Sequence, residues 1–320
     1  MTTNLGPPAL SATAVRKAYG DHEVLSGIDL DIPPGSVFAL LGPNGAGKTT
    51  MVHILSTLIR ADSGDIQVAG HDAARAPDAI RAAIGVTGQF SAVDGFLTGE
   101  ENLLLMADLH HLPRRERRQR ATDLLARFDL VDAARKPAAT YSGGMRRRLD
   151  LAMTLVGRPR VIFLDEPTTG LDPRSRRTMW DTIRRLVTDE GVTIFLTTQY
   201  LDEADHLADR IAVLHQGTIV AQGTAQELKR HVGGGHITLR FADARDHDHA
   251  ARTLNVTSRN DEALTLQVAS RGDIRSLRAL LDRLDRASLT VEELQIHTPD
   301  LDDVFFALTG DPTAEQEPVR

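Results

Sequence analysis

One glycine-rich segment constrains this chain more than any other part of its sequence. It follows a short apolar run with the composition of a buried strand, Ser36 to Leu41, and precedes a stretch with helical spacing, Thr50 to Leu58. The segment reads Gly42-Pro43-Asn44-Gly45-Ala46-Gly47-Lys48-Thr49-Thr50. A glycine-rich loop that ends in Lys-Thr between a strand and a helix matches the full P-loop pattern in its proper context.

This loop predicts a site for a phosphate chain. Glycines let backbone N–H groups approach phosphates closely, and the N-terminus of the following helix favours their negative charge. Lys48 can reach the β and γ phosphates, and the Thr49 hydroxyl can join a Mg²⁺ shell. The alternative is an ordinary glycine-rich turn, which the complete motif between a strand and a helix disfavours.

Two carboxylates follow a second apolar strand. The run from Val161 to Leu164 leads directly to Asp165 and Glu166, and open α/β sheets place ligands at this end of their strands. Asp165 would help to hold Mg²⁺ through water, whereas Glu166 is free to polarise an attacking water. In a sequence without the P-loop, a solvated acidic strand end would be the preferred interpretation.

The composition excludes several classes of protein. Of the 320 residues, 41% are hydrophobic and 25% charged, as in a folded protein, and the formal net charge of -7 argues against a general nucleic-acid coat. The sequence has no Cys, which removes disulfides, thiolate zinc sites and Cys nucleophiles. The first ten residues lack the pattern of a signal peptide, and no apolar run approaches the length of a spanning helix.

The order of predicted elements indicates an α/β fold followed by a smaller domain. Strands alternate with helices, which implies a largely parallel sheet covered on both faces. Residues 96–157 have mostly helical spacing and form a predicted insertion between strands. Gly233-Gly234-Gly235 has the composition of a linker, and the pattern after it predicts a small α+β domain. Within that domain, we expect Pro299 in the first turn of a final helix that ends at Gly310.

A third segment makes the sequence recognisable. Tyr141-Ser142-Gly143-Gly144-Met145 precedes a predicted helix, and Ser142 suits its N-cap, so a simple capped helix start would explain the segment locally. Its position between the P-loop and Asp165-Glu166 resembles the ATP-binding subunits of ABC transporters. The resemblance covers about residues 9–230, and Ser142, Gly143 and Gly144 correspond to the signature motif of that family.

The resemblance implies a P-loop NTPase fold of the ABC type. Its parts are a mostly parallel core sheet, an antiparallel β subdomain and a helical subdomain at about residues 90–157. An α+β domain at residues 231–310, with a regulatory or contact role, and a disordered tail at 311–320 are expected to follow. The ligands implied are ATP and Mg²⁺.

The resemblance also assigns roles to single residues. Tyr19 would stack on adenine, Gln89 would sense both Mg²⁺ and a membrane partner, and Asp172 would touch the opposite subunit. The implied catalytic set is Glu166, Lys48 and Gln199, and the implied metal set is Thr49, Gln89 and Asp165. The implied nucleotide-binding set is Tyr19, Gly42, Pro43, Asn44, Gly45, Ala46, Gly47, Lys48, Thr49, Thr50, Gln89, Ser142, Gly143, Gly144 and Asp172.

Three positions depart from the common family pattern. Gln199 stands where most members have a histidine that contacts the γ phosphate; Gln offers neutral hydrogen bonds and no positive charge. Met145 replaces a glutamine, and Gly88 replaces a frequent proline before Gln89. The first two departures resemble the multidrug or antibiotic exporter subgroup that includes the daunorubicin-resistance ATPase.

The expected function is therefore ATP hydrolysis that energises an exporter of a drug or antibiotic-like compound. The family logic implies a homodimer that sandwiches ATP, bound to a separately encoded integral membrane permease at the cytoplasmic face of the cell membrane. The alternatives are an importer ATPase, a soluble ABC ATPase acting on ribosomes or DNA, and a regulatory module that retains ATP slowly. No nucleic-acid partner is expected.

Three other segments have simpler interpretations. The basic run Arg114 to Arg120 contains Glu116 and has a helical setting, which favours a solvated helix face over a nucleic-acid patch. His247 and His249 lack a zinc-like pattern and are expected on the surface. Leu301 to Phe306 resembles a short motif of drug-exporter ATPases, and an amphipathic helix packed on its own domain explains it equally well.

Overall fold

A computed structural model describes residues 7–89, 91–231, 235–270, 274–297 and 299–310. These residues form two compact units, of which the first ends at Ala225 and the second begins at Gln226. No helix in these ranges is both long enough and apolar enough to cross a bilayer.

The first unit contains ten strands and seven complete α-helices within the described residues, and an eighth α-helix starts at its end. The strands are β1 (Leu10–Tyr19), β2 (His22–Ile32), β3 (Val37–Leu41), β4 (Ser63–Val68), β5 (His71–Asp72), β6 (Ile84–Thr87), β7 (Val161–Asp165), β8 (Thr193–Thr198), β9 (Arg210–His215) and β10 (Thr218–Gly223). The helices are α1 (Lys48–Leu55), α2 (Pro77–Ala83), α3 (Gly99–Leu109), α4 (Arg114–Arg127), α5 (Gly143–Thr154), α6 (Pro173–Glu190), α7 (Leu201–Leu207) and α8 (Ala225–His231).

A six-stranded sheet in the order β10-β9-β3-β8-β7-β6 forms the centre of this unit. All neighbours are parallel except β9 and β10, and the middle strands are buried on both faces, as expected for a parallel sheet between helices. Phe38, Phe163 and Phe195 pack side by side across it, with the Phe38 and Phe195 ring centroids 5.8 Å apart. The carboxyl ends of β3, β7 and β8 therefore meet at one edge.

Two additions flank this sheet. The antiparallel sheet β2-β1-β4-β5 has Tyr19 and His22 at its β1–β2 turn. Helices α3, α4 and α5 lie between β6 and β7 in the chain, and a capping box formed by Thr98 and Glu101 begins α3. The predicted fold class, with its parallel core, antiparallel part and helical insertion, is confirmed.

The second unit has a four-stranded antiparallel sheet in the order β12-β13-β11-β14. Its elements are β11 (His236–Arg240), α9 (Ala244–Thr253), β12 (Val256–Asn260), β13 (Thr265–Ala269), α10 (Ile274–Arg286), β14 (Glu293–His297) and α11 (Leu301–Thr309). The βαββαβ order with this strand arrangement is the split βαβ pattern. Alternate residues of the two central strands, such as Ile237 and Leu266, point into a core shared with α9 and α10.

Several details of the second unit correct or complement the sequence interpretation. Pro299 does not lie in the first turn of α11, because Asp300 is the N-cap and Leu301 the first helical residue. The helix ends at Gly310, in the left-handed conformation, as predicted. His247 is only 1% exposed, so its expected surface position is wrong; its ring packs edge-on against Phe241. Residues 233 and 234 of the predicted linker and the expected tail at 311–320 lie outside the described residues.

Candidate functional site

The glycine-rich loop connects β3 to α1 at the centre of the six-stranded sheet. Gly42 lies directly after β3, and its N–H donates to the Thr198 carbonyl at the end of β8 (3.2 Å). Gly47 caps α1 with φ of +106°, and a Cβ there would lie 2.9 Å from the Val24 carbonyl oxygen. A larger residue at Gly47 would therefore be strained and would clash with β2.

The loop residues differ in their accessibility. Lys48 extends back along the loop, and its Nζ donates to the carbonyls of Gly42 (2.8 Å) and Pro43 (3.1 Å). Asn44 and Gly45 at the tip of the loop remain exposed, so phosphates can reach the backbone there. Asn44, Gly45 and Thr49 are exposed, Pro43 and Thr50 are half-buried, and Gly42, Ala46, Gly47 and Lys48 are buried.

The carboxylates after β7 lie beside this loop. Lys48 Nζ is 3.3 Å from Glu166 Oε1, and both side chains are less than 10% exposed. Glu166 Oε2 accepts a hydrogen bond from Thr169 (3.2 Å). Asp165 is 2% exposed and accepts a hydrogen bond from the Thr197 hydroxyl of β8. The structure thus brings Lys48, Asp165 and Glu166 together, as predicted from the two separate motifs.

Glu166 has an unusual backbone conformation. Its φ is +48°, in the left-handed region that residues with a Cβ rarely adopt. Its N–H donates to the Thr197 carbonyl and hydroxyl oxygens, each at 3.1 Å. Backbone strain of this kind persists only where surrounding contacts determine it, and it is common at functional sites.

The Ser-Gly-Gly segment starts α5 as expected. The Ser142 side chain accepts a hydrogen bond from the Met145 N–H (3.2 Å), which makes it the N-cap. Ser142 and Gly143 are nevertheless exposed, so this helix start is accessible to a ligand or partner. A Cβ on Gly144 would lie 2.7 Å from Ser175 Oγ, so glycine permits close packing against the start of α6.

Asp172 has a structural role that the Asp-Pro sequence already suggests. It is the N-cap of α6 and accepts hydrogen bonds from the N–H groups of Arg174 and Ser175, each at 3.0 Å, and from the Ser175 hydroxyl. The hydrogen bond from the Ser175 hydroxyl is the main reason why the pKa of the Asp172 carboxyl is lowered. The side chain remains exposed.

Three other predicted site residues lie at loops of the same unit. Tyr19 ends β1 and is 53% exposed, with Lys17 Nζ 5.5 Å from its ring centroid. Gln89 is exposed just beyond β6, a neighbour of β7 in the sheet, and Gln199 is half-buried just beyond β8. The parallel order of the strands places Gln89 and Gln199 at the same sheet edge as Asp165.

Sequence reasoning missed the Arg147–Asp150 ion pair and the buried carboxylate of Glu203 near this edge. Arg147 of α5 donates to backbone carbonyls around Glu166, and Asp150 lies 3.2 Å from its guanidinium. Glu203 of α7 is fully buried and accepts hydrogen bonds from Thr168 (2.8 Å) and Trp180 (3.1 Å). A charged residue among apolar helix residues is the available sequence signal for Asp150 and Glu203, but it does not identify their partners, and Arg147 lies in a basic run that gives no such signal.

Glu203 gives a testable pH dependence. Burial raises the pKa of its carboxyl, so at pH values between the ordinary pKa and the raised one the folded chain binds a proton that the unfolded chain has lost. This contribution to stability falls as the pH rises from the ordinary carboxyl pKa through the raised one, by about 1.4 kcal/mol per pKa unit. We expect Glu203→Gln to become progressively more stable relative to wild type as the pH rises, measured by urea unfolding at several pH values.

A matched control isolates the effect of burial at Glu203. Asp181 is an exposed carboxylate on the neighbouring helix α6, so Asp181→Asn makes the same acid-to-amide change at an exposed position. A constant stability difference between Glu203→Gln and wild type at every pH would contradict the prediction.

The fold and the site together define a P-loop nucleoside triphosphatase. Its glycine-rich loop, buried lysine and paired carboxylates meet at the carboxyl edge of a parallel sheet, which is where such proteins bind nucleotides. The residues also fit Mg²⁺, because this ion is commonly bound by one or two carboxylates and a hydroxyl together with substrate phosphates.

Comparison with known proteins specifies the family. The model of the ABC transporter family matches residues 25–169, and that of the C-terminal domain of DrrA1-3-like ATP-binding proteins matches residues 223–309. The chain is 48% identical to the daunorubicin resistance ATP-binding protein DrrA3 of Streptomyces coeruleorubidus, over 95% of this chain and 96% of the relative. It is 46% identical to the daunorubicin/doxorubicin resistance ATP-binding protein DrrA of Streptomyces peucetius, over 96% and 94%.

A solved structure agrees with these relatives. A dimeric ATP-binding cassette bound to ADP and phosphate, in a post-hydrolysis state, superposes with a TM-score of 0.61 at 25% identity, over 67% of this chain and 98% of that one. The chain belongs to the ATP-binding proteins of the ABC transporter family. It is an ATPase that uses ATP and Mg²⁺.

Proposed function

We propose that this chain hydrolyses ATP to drive an exporter of a drug or antibiotic-like compound. The observation that carries the proposal is the match to daunorubicin resistance proteins along almost the whole chain. The second unit supports it separately, because residues 223–309 match the C-terminal domain of DrrA1-3-like proteins. These matches favour a resistance exporter over an importer or a ribosome-associated ATPase.

The site residues have distinct proposed roles in hydrolysis. Lys48 and the loop backbone bind the β and γ phosphates, and Gln199 donates a neutral hydrogen bond to the γ phosphate. Thr49, Asp165 and Gln89 would hold Mg²⁺, which would supply positive charge beside the phosphates. Glu166 accepts a proton from the attacking water, since a buried carboxylate that is not a metal ligand suits a general base.

The remaining nucleotide contacts involve two subunits. Tyr19 is exposed and available to stack on adenine. Exposure of Ser142 and Gly143 at the start of α5 supports their contact with a γ phosphate held by Lys48 of a second copy. Asp172 is exposed at the start of α6 and would contact the opposite subunit. A symmetric homodimer would contain two such sites.

The two units have different proposed tasks. Residues 9–230 form the ATPase domain, with a helical subdomain at about 90–157, and residues 231–310 form a regulatory or contact domain. The boundary between the units, after Ala225, supports this division. The ATPase domain docks on a separately encoded integral membrane permease at the cytoplasmic face of the membrane. We place the contact with the permease at the surface around Phe96, which follows the Gln89 loop and is 97% exposed.

The proposed function predicts a specific partner in native membranes. Affinity purification in mild detergent should recover one polytopic membrane protein at near-equal stoichiometry with this chain, identified by mass spectrometry. Phe96→Ser should reduce this recovery because it removes an exposed apolar contact. Leu109→Ser provides the matched control, since Leu109 is 65% exposed at the end of α3. Recovery only of soluble ribosomal or DNA-repair proteins would overturn the export proposal and leave the ATPase activity intact.

A further inference from the structure

The guanidinium of Arg147 donates hydrogen bonds to the backbone carbonyls of Glu166 and of the residues before and after it. Its Nε donates to the Pro167 carbonyl (2.9 Å), and its Nη2 donates to the carbonyls of Asp165 (3.2 Å) and Glu166 (3.5 Å). One side chain of α5 thus holds three successive peptide groups at the end of β7. An arginine suits this position because its planar fork of five donors can serve several acceptors at once.

These hydrogen bonds lie at Glu166, whose backbone conformation is strained. Glu166 has φ of +48°, and relaxation towards an ordinary backbone conformation would reorient its side chain. The Thr197 contacts fix the Glu166 N–H on the β8 side, whereas the Arg147 contacts fix the carbonyls on the α5 side. The strained conformation is therefore held from two directions, as strain at a functional site requires.

The guanidinium is itself held in place. The Arg147 side chain is 11% exposed, and its Nη1 donates to Asp150 Oδ2 (3.2 Å) within α5. Asp150 Oδ1 also accepts a hydrogen bond from the Ala92 N–H (3.2 Å), beyond the Gln89 loop. Nη1 of Arg147 also donates to the Gly88 carbonyl (3.0 Å). A buried charge fixed by so many partners has little freedom to move independently of them.

We propose that Arg147 is a positioning residue for Glu166, whose backbone it holds so that the carboxylate is oriented for proton transfer. The inference rests on the proposed role of Glu166 in polarising the attacking water. Arg147 touches no reacting atom in this arrangement, and it reaches Glu166 through the backbone carbonyls of residues 165–167. Its contribution therefore depends on the presence of the Glu166 carboxylate.

A double-mutant cycle tests this dependence in the full-length chain. Arg147→Met should lower kcat for ATP hydrolysis by about 10²-fold, the effect of a small misplacement of a catalytic group, and leave KM within about twofold. Arg147→Lys keeps the charge but lacks the fork, so we expect an intermediate loss of kcat. In the Glu166→Gln background, Arg147→Met should cause no further loss of the residual single-turnover rate.

Arg148 offers a matched control on the same helix. Its guanidinium donates to the carbonyls of Phe128 (2.9 Å) and Asp129 (3.3 Å), which lie in the helical insertion. Arg148→Met should therefore lower thermal stability without the dependence on Glu166. If Arg147→Met does not fold, Arg147→Lys supports the same cycle with a smaller expected effect.

The outcomes separate this proposal from the proposed function. An equal loss of rate in both backgrounds, or a loss confined to KM, would overturn the positioning role of Arg147. Rapid multiple-turnover hydrolysis by Glu166→Gln alone would instead overturn the assigned role of Glu166, and with it the premise of the cycle.

Discussion

Replacing Glu166 by Gln is expected to reduce multiple-turnover ATP hydrolysis by about 10²- to 10⁴-fold, the usual contribution of a general base. Gln preserves the size and hydrogen-bonding shape of the side chain but cannot accept the proton from water at neutral pH. ATP binding should persist, because Lys48 and the glycine-rich loop are unchanged. With hydrolysis blocked, ATP should hold two chains together, and the variant should elute as a dimer only with Mg²⁺ and ATP.

A substitution at Ser142, at the start of α5, tests whether the ATP-dependent dimer uses the proposed interface. Ser142 is exposed, and Ser142→Arg loses the N-cap hydrogen bond of α5 at a cost of about 0.5–2 kcal/mol while placing a bulky side chain where the second subunit would approach, so folding of the variant is checked by circular dichroism. In the Glu166→Gln background this change should abolish the ATP-dependent dimer but leave binding of ATP to the monomer. Rapid turnover by Glu166→Gln would contradict the assigned base, and a persistent dimer with Arg at position 142 would contradict the proposed interface.

Local motifs explain why much of the site could be predicted from sequence. The P-loop specifies a strand, a turn and a helix within a few residues, and its helix begins at Lys48 as that pattern requires. Asp165 and Glu166 could be placed beside it because carboxyl ends of parallel strands meet at one edge of a sheet. In the structure, Lys48 Nζ and Glu166 Oε1 are 3.3 Å apart, so the two motifs do lie side by side.

Contacts between distant segments could not be predicted in the same way. Arg147 belongs to a basic run on α5, and only tertiary packing turns its side chain towards Glu166 while Arg148 reaches the Asp129 region. The left-handed backbone of Glu166 is equally invisible in a sequence, since a residue other than glycine gives no signal for it. In the second unit, α9 and the exposed edge strand β12 were missed because their apolar residues are few.

Replacing Lys48 by Met is expected to lower both the free energy of unfolding and the affinity for ATP. Its ammonium lies 3.3 Å from the Glu166 carboxylate, with the two side chains 5% and 8% exposed. Lys48→Met removes the cation and leaves a carboxylate buried without its partner, which typically costs about 3–5 kcal/mol of unfolding free energy. The same variant should lose detectable ATP binding, because the charge that contacts the phosphates is gone.

The double variant Lys48→Met/Glu166→Gln separates these two consequences. Gln is neutral, so the buried-charge penalty disappears and most of the lost unfolding free energy should return, whereas ATP binding should not. Urea unfolding gives the first quantity and a fluorescent nucleotide titration the second. Lys17→Met is the matched control: its partner Asp62 is 47% exposed, and water can solvate the carboxylate that remains. If the double variant were no more stable than Lys48→Met, the pair would not be coupled, and the lysine would act on the nucleotide alone.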